Sequence, residues 1–393
     1  MDLSDLDPQP ARGPLSGLLV ADFSRVLAGP YATMLLGDLG ATVIKVEGPG
    51  GDDTRTWQPP VRDTEDGPVS TYYLSINRNK RSVVLDLKDP GDRELAATLA
   101  RRADILVENF KHGGLTRFGL DYDTVRATNP GVIYCSITGF GTHEGAALPG
   151  YDLLVQAVSG LMSLTGSADG SPYRAGVAVF DVFTGLHAGM AILAALHHRD
   201  RTGEGQHVET SLLAAAMSSL VNQASAVVAG GVVPHRMGNA HPSLFPYEPL
   251  PTADGELIVI AGNDNQYRRL CTAIGRPELG TDERFATMAD RTARRAELRP
   301  MLLDALAQRT AAQWFDILTE AGVPCGPINT VADGIALAQR LGLDPIVDGI
   351  DGFGSVPTVR NPVDYSATPP SYRLPPPALG ADTDTVRAWL EGP

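Results

Sequence analysis

The chain reads as α/β: a doubly wound parallel layer over residues 1–229, a small α+β unit over 230–325, and a C-terminal segment, 326–393, that returns to the first layer. Three observations predict this. Strand-like apolar runs alternate with helical periodicity through the first third of the chain. A stretch dense in glycine and proline, GGVVPHRMGNAHPSLFPYEPLPTADG, interrupts the pattern after Ala229. And 393 residues with 43% hydrophobic content exceed what one compact core holds.

In order, LLVADFS from Leu18 predicts a strand, RVLAGP a turn, YATMLLGDLG a helix and TVIKVE a second strand, which together make a βαβ unit. SVVLDL continues the strands. DPGDRELAATLARRA is a helix that starts at Asp89 or Pro90, because aspartate caps well and proline fits a first turn. DILVEN and GVIYCSITG add two strands on either side of a segment containing Arg117, and the alternation makes the layer Rossmann-like. Helices are expected over Tyr151–Met162 and Val182–Arg199, the latter apolar on nearly every face and so read as a buried core element. A further long helical pattern fills RTGEGQHVETSLLAAAMSSLVNQASAVVA. Beyond the boundary, GELIVIAGN reads as a strand, Asp264–Leu318 as short helices, VPTVRNPVDYS as a strand and PPSYRLPPPALG as an extended arm.

Composition excludes several classes. A net charge of −14 argues against nucleic acid or an anionic membrane as partner, while leaving room for a local basic pocket. The three cysteines, Cys135, Cys271 and Cys325, are far apart and form no CxxC pair, so a reducing compartment is expected and neither a disulfide framework nor a zinc site is indicated. MDLSDLDPQP lacks the features of a signal or transit peptide, which makes the cytoplasm the expected location. No uninterrupted run of apolar residues is long enough to span a bilayer.

The usual ligand motifs are absent. Glu47 lies about twenty residues past the first turn, where a dinucleotide-binding layer places its ribose-binding acid. Yet the turn SRVLAGP has one glycine followed by proline in place of the GxGxxG pattern that lets a backbone approach a pyrophosphate. There is no P-loop, no GxSxG elbow, and no metal spacing among the eight histidines, so no metal and no permanently bound cofactor is expected. Arg78, Lys80, Arg81 and Lys88 cluster around SVVLDL in an otherwise acidic chain. They read either as a pocket for a phosphate-bearing ligand or as the charged, solvated edge of a sheet.

The most informative residue is Asp181, a lone carboxylate in RAGVAVFDVFTGLHAGMAILAALHHR. Burying an ion without a partner is costly, so it needs hydrogen bonds or a chemical task. It could cap the helix that follows, and that position would also hold it ionised and aim it.

RVLAGPYATMLLGDLGATVIKVE, NRNKRSVVLDLK, VENF, YCSITGFG, GYDLLVQAVSGLM and GVPCGPIN, in this order over most of the chain, resemble the class III CoA-transferases. The resemblance implies that Asp181 is the catalytic aspartate. It implies that coenzyme A, a co-substrate, lies against Val26, Ala28, Leu85, Lys88, Asn109, Phe110 and Arg117. Gly48 stands where some relatives carry a basic contact. The likeness further implies a homodimer of two interlocked subunits, succinyl-CoA as donor and a small dicarboxylic acid as acceptor.

Such chemistry suits a carboxylate. Exchanging one thioester for another is nearly energy-neutral and calls for a covalent relay. Asp181 would attack the donor thioester to give a mixed anhydride, and the released thiolate would then form an aspartyl-CoA thioester. With a reference pKa of ~3.9 it is expected to be ionised at neutral pH and to need no general base. The site should be dry, with backbone N–H donors for the oxyanions from Gly139 and Gly141 or from the GGVVPHRMGN loop. Arg25, then Arg174, is the candidate cation for the far carboxylate of the acceptor. Two rivals stand beside this reading. An α-methylacyl-CoA racemase of the same fold would need a histidine where Tyr151 stands, and could use Glu248, otherwise an exposed loop acid. A non-catalytic CoA-binding subunit would not need Asp181.

Overall fold

A computed structural model describes Leu6 and residues 12–64, 67–349 and 356–392; apart from Leu6, the N-terminal stretch MDLSDLDPQP lies outside them. Its first compact unit comprises residues 1–160, 175–232 and 344–393, and its second comprises 161–174 and 233–343. The expected bounds therefore shift: Leu161–Arg174 and the residues from 326 to Leu343 belong to the second unit.

The first unit is built on a six-stranded sheet of β1 (Leu19–Asp22), β2 (Thr42–Glu47), β3 (Lys80–Val84), β4 (Ile105–Glu108), β5 (Ile133–Thr138) and β6 (Gln206–Ser211). All five pairings are parallel, in the order β3-β2-β1-β4-β5-β6. Strands β1, β2 and β4 are buried on both faces, as a parallel sheet covered by helices requires. The chain runs from β1 to one side and then returns to β4 on the other, so the carboxyl ends of β1 and β4 flank a topological switch point, where doubly wound sheets bind ligands.

Helix α1 (Ala28–Asp38) follows β1, and α2 (Pro90–Arg102) follows β3. As the sequence predicts, Asp89 caps α2, accepting from Gly91 and Asp92 N–H at 2.8 and 3.0 Å. Strand β6 corrects the helical pattern expected over QHVETS. Its β-branched Val208 and Thr210 complete the edge of the sheet against β5.

The segment expected as one helix from Tyr151 to Met162 is broken. Helix α3 (Asp152–Val158) ends before Gly160, whose φ is 96°, and Leu161–Leu164 forms a separate turn. Helix α4 (Val179–Thr202) starts three residues before the expected Val182. It is not buried all round. Phe180, Thr184, Ala188, Ile192 and Leu196 face the core, whereas Phe183, Leu186, Met190 and Leu193 are exposed, Met190 to 64%. Among the described residues α4 is the one helix long and apolar enough to cross a bilayer; its inner face packs on α1, where Gly185 lies against Ala28 and Tyr31.

The C-terminal segment contributes Thr358–Val359, paired antiparallel with Ile346–Val347, in place of the longer strand expected there. It also forms α5 (Thr383–Glu391), a helix the sequence reading did not identify, which buries Val386, Trp389 and Leu390 in the first core. The second unit has a three-stranded antiparallel sheet, Cys325–Pro327, Glu256–Ile260 and Tyr247–Pro251, over a core that includes Phe245, Leu257, Leu302 and Trp314.

Candidate active site

At the switch point the turn after β1 meets the loop after β4. Asn109 bridges them, accepting Arg25 N–H at 2.9 Å and donating to the Arg25 carbonyl at 2.7 Å. Beside this bridge opens a cavity of about 710 Å³ lined by Phe23, Arg25, Gly48, Leu85, Lys88, Phe110, Lys111, His112 and Arg117, among others. Five of the residues singled out from sequence, Arg25, Leu85, Lys88, Phe110 and Arg117, thus share one wall system. Apolar surfaces at Phe23, Leu85 and Phe110 and cations at Lys88, Lys111 and Arg117 suit an elongated ligand with an aromatic ring and phosphates. Val26, Ala28 and Asn109 do not line the cavity; they form and hold the turn at its edge. Arg25 has its guanidinium 5.7 Å from the Phe110 ring centre and 3.7 Å from Asp53, so it faces this cavity. Arg174 is exposed at the end of Leu161–Arg174 in the second unit.

The basic cluster does not act as one pocket. Lys80 is fully buried and donates to Asp22 at 3.1 Å; Arg78 is buried and pairs with Asp38 at 2.6 Å; Arg81 pairs with Asp382. Only Lys88 reaches the cavity. The other three are neither phosphate ligands nor a solvated edge, because each has a carboxylate that arrives from a distant part of the chain. Glu47 is not a free ribose-binding acid either: it holds Arg55 at 2.7 Å. Glu248, read as an exposed loop acid, is buried on a strand and bound to Arg299 at 2.8 Å.

Asp181 lies in the first turn of α4, inside the helix. It is not the cap. Asp152, from α3, caps α4 instead, accepting the N–H of Phe180 at 2.8 Å and of Asp181 at 3.2 Å. The Asp181 side chain is consequently free of capping duty. Burial and, after it, the charge of Asp152 push its carboxyl up to about 7, so the expectation of a group fully ionised at neutral pH is corrected. Tyr72 lies near enough to feel both acids. Burial, then Asp181 and Asp152, raise its phenol to about 12, which keeps it a hydroxyl donor. Trp57 packs edge-on against Tyr72 at 5.0 Å, and the two line a second cavity of about 580 Å³ with Gln58, Pro59, Pro60 and Thr71. Sequence reasoning missed Tyr72; an aromatic pair beside a Trp-Gln-Pro-Pro turn was its only signal.

Gly185 connects the two places. One helical turn after Asp181 and on the same face, it lets α4 approach α1 so closely that a Cβ there would come within 2.6 Å of the Ala28 carbonyl oxygen. The helix carrying Asp181 therefore rests directly on the residue that follows the turn at the cavity's edge. Gly139, the expected oxyanion donor, also allows a close approach: a Cβ on it would lie 2.4 Å from the Gly150 Cα, so it lets the end of strand β5 pack on the segment that leads into Tyr151 and Asp152. Tyr151 itself is 66% exposed.

Residues 15–383 match the family described as CoA-transferase family III, and the chain belongs to that family. It is a CoA-transferase. It is 46% identical over 384 residues to a succinate–glutarate CoA-transferase of Agrobacterium fabrum, covering 96% of both chains. It is 42% identical over 373 residues to a succinyl-CoA:glutarate CoA-transferase of Mus musculus, covering 94% of this chain and 85% of that one. Among solved structures, a CAIB/BAIF family protein from Brucella suis superposes with a TM-score of 0.87 at 44% identity, over 97% of this chain and all of that chain, 100%.

Proposed function

We propose that this enzyme moves coenzyme A from succinyl-CoA to glutarate or a dicarboxylic acid of similar length, with Asp181 as the covalent relay. The observation that carries this reading is a carboxyl group, half-buried and with no paired cation among the described residues, on a helix that packs on Ala28, the residue following the turn at the edge of a coenzyme-sized cavity. The names of the two relatives supply the donor and the acceptor.

The nucleotide end of the coenzyme lies in the Rossmann-like layer against Leu85, Phe110, Lys88 and Arg117, and its pantetheine arm passes the turn at Val26 and Ala28. Ionised Asp181 attacks the thioester carbonyl. The C–S bond breaks, giving succinyl-aspartyl anhydride and CoA thiolate. The thiolate attacks the aspartyl carbonyl, the anhydride C–O bond breaks, and free succinate leaves an aspartyl-CoA thioester. An acceptor carboxylate repeats these steps in reverse order, so that atoms and charge balance with no other reactant. A carboxylate lifted to about 7 by a dry setting is weakly solvated and hence a stronger nucleophile than one in water. The Tyr72 hydroxyl supplies a donor near the reacting oxygens.

The working unit is a homodimer. Phe183, Leu186, Met190 and Leu193 leave α4 with an exposed seam at alternating three- and four-residue spacing, the pattern of a helix packed against another copy of itself. Light scattering tests this directly, and a monodisperse monomer would remove it. The three free cysteines suit a reducing compartment such as the cytoplasm.

An acceptor screen tests the function. Purified protein with succinyl-CoA and a panel of mono- and dicarboxylates, read by mass spectrometry, should give new thioesters with C4 to C6 diacids first. Deuterium incorporation at the α-carbon of an acyl-CoA with no acceptor present, and no new thioester, would point to racemase chemistry instead.

A further inference from the structure

The turn after β1 is held in a backbone conformation that its sequence disfavours. Val26, a β-branched residue, has φ of 69°, in the left-handed region where such residues are rare. The backbone groups of Ser24 and Arg25 and the N–H of Val26 are all tied down. Ser24 N–H donates to Asp22 at 3.0 Å, and the Ser24 carbonyl accepts from Lys45 Nζ at 3.0 Å. Arg25 is bridged at both N–H and C=O by Asn109. Val26 N–H donates to both oxygens of Asp52, at 3.3 and 3.2 Å.

Asp52 and Lys45 are themselves buried and joined at 2.9 Å, with neither side chain exposed to solvent. Thr54 completes the shell of Asp52 with its N–H at 3.0 Å and its hydroxyl at 2.8 Å. Burial opposes both charges, but attraction prevails: Lys45 holds Asp52 below the usual carboxylate range, and Asp22 and then Asp52 hold Lys45 above the usual ammonium range. Asp52 also lines the coenzyme cavity. A buried ion pair of this kind is weak as a source of stability and strong as a way of fixing geometry.

We propose that Asp52, anchored by Lys45, is a positioning residue that holds the Val26 turn in its strained, coenzyme-ready shape before any ligand arrives. This rests on the reading that coenzyme A occupies the adjoining cavity. Asp52 touches no reacting atom; it acts through the backbone of Val26.

The test uses the full-length enzyme. Replacing the pair by apolar residues of similar size, K45M/D52L, removes both buried charges together and strips the Val26 N–H of its acceptor, whereas K45M/D52N restores a neutral acceptor. The expected result is a KM for succinyl-CoA raised about ten- to a hundredfold in K45M/D52L, with kcat changed much less, and most of the loss recovered in K45M/D52N. Equal KM in both variants and wild type would overturn the proposal. Hydrogen exchange on the unliganded wild-type enzyme reads the same point without a substitution: the peptide spanning Ser24–Ala28 should already be protected and gain little when CoA is added. Free exchange that stops only on CoA addition would overturn it too. Lys88→Ala and Arg117→Ala serve as controls for the underlying reading. If they weaken CoA binding and K45M/D52L does not, only the positioning role fails; if they leave CoA binding unchanged, the assignment of the cavity fails.

Discussion

Asp52, buried, and Asp181, half-buried, are both acids of the first unit, and their surroundings drive them in opposite directions. Asp52 has Lys45 at 2.9 Å and a full set of donors, which together outweigh burial and hold it ionised. Asp181 has Asp152 as its charged neighbour, so the like charge adds to burial and lifts it to about 7. Burial opposes the charge of both. The identity of the partner separates an acid that holds a backbone in place from one left available for chemistry.

Substitutions can break this contrast. The largest effect is expected from Asp181→Asn, which keeps shape and burial and removes the nucleophile: turnover should fall about a thousandfold or more, measured as thioester exchange. Next, Lys45→Met alone leaves Asp52 as an uncompensated buried charge and should lower unfolding stability by about 3–5 kcal/mol in urea titration. Removal of Asp181 should carry no such penalty, and comparable destabilisation by both would erase the distinction. Arg117→Ala should raise KM for the acyl-CoA about tenfold at nearly constant kcat, because it removes a cation from the cavity wall but not from the relay.

The smallest effect sharpens the electrostatic claim. In wild type, kcat/KM for the acyl-CoA should fall as pH drops through about 7, since protonated Asp181 cannot attack. Asp152→Asn keeps an acceptor for the α4 cap and deletes the neighbouring negative charge. Ionising Asp181 then becomes easier, so the midpoint should move to lower pH, by about one unit or less. A midpoint that stays put would mean that burial alone sets the value.

Much of this was legible in the sequence where the signal was local. Alternating runs gave the βαβ start, DPGD gave the capped α2, and an acid in an apolar run singled out Asp181. What stayed hidden depended on partners far along the chain. Arg78 and Lys80 look like a basic patch until Asp38 and Asp22 are folded onto them. The cap of α4 comes from Asp152, not from the residue beside the helix start. QHVETS is a strand because β5 offers it an edge, which overrides the helical pattern around it. Tyr72 gains meaning only through its nearness to Asp181.

Trapping the relay tests the central claim most directly. The enzyme is incubated with succinyl-CoA and hydroxylamine, digested, and mapped by mass spectrometry. The expected product is a hydroxamate on Asp181, formed only when acyl-CoA is present and absent from Asp181→Asn. Continued turnover with Asp181 unmodified, or a hydroxamate on a different carboxylate, would contradict the account.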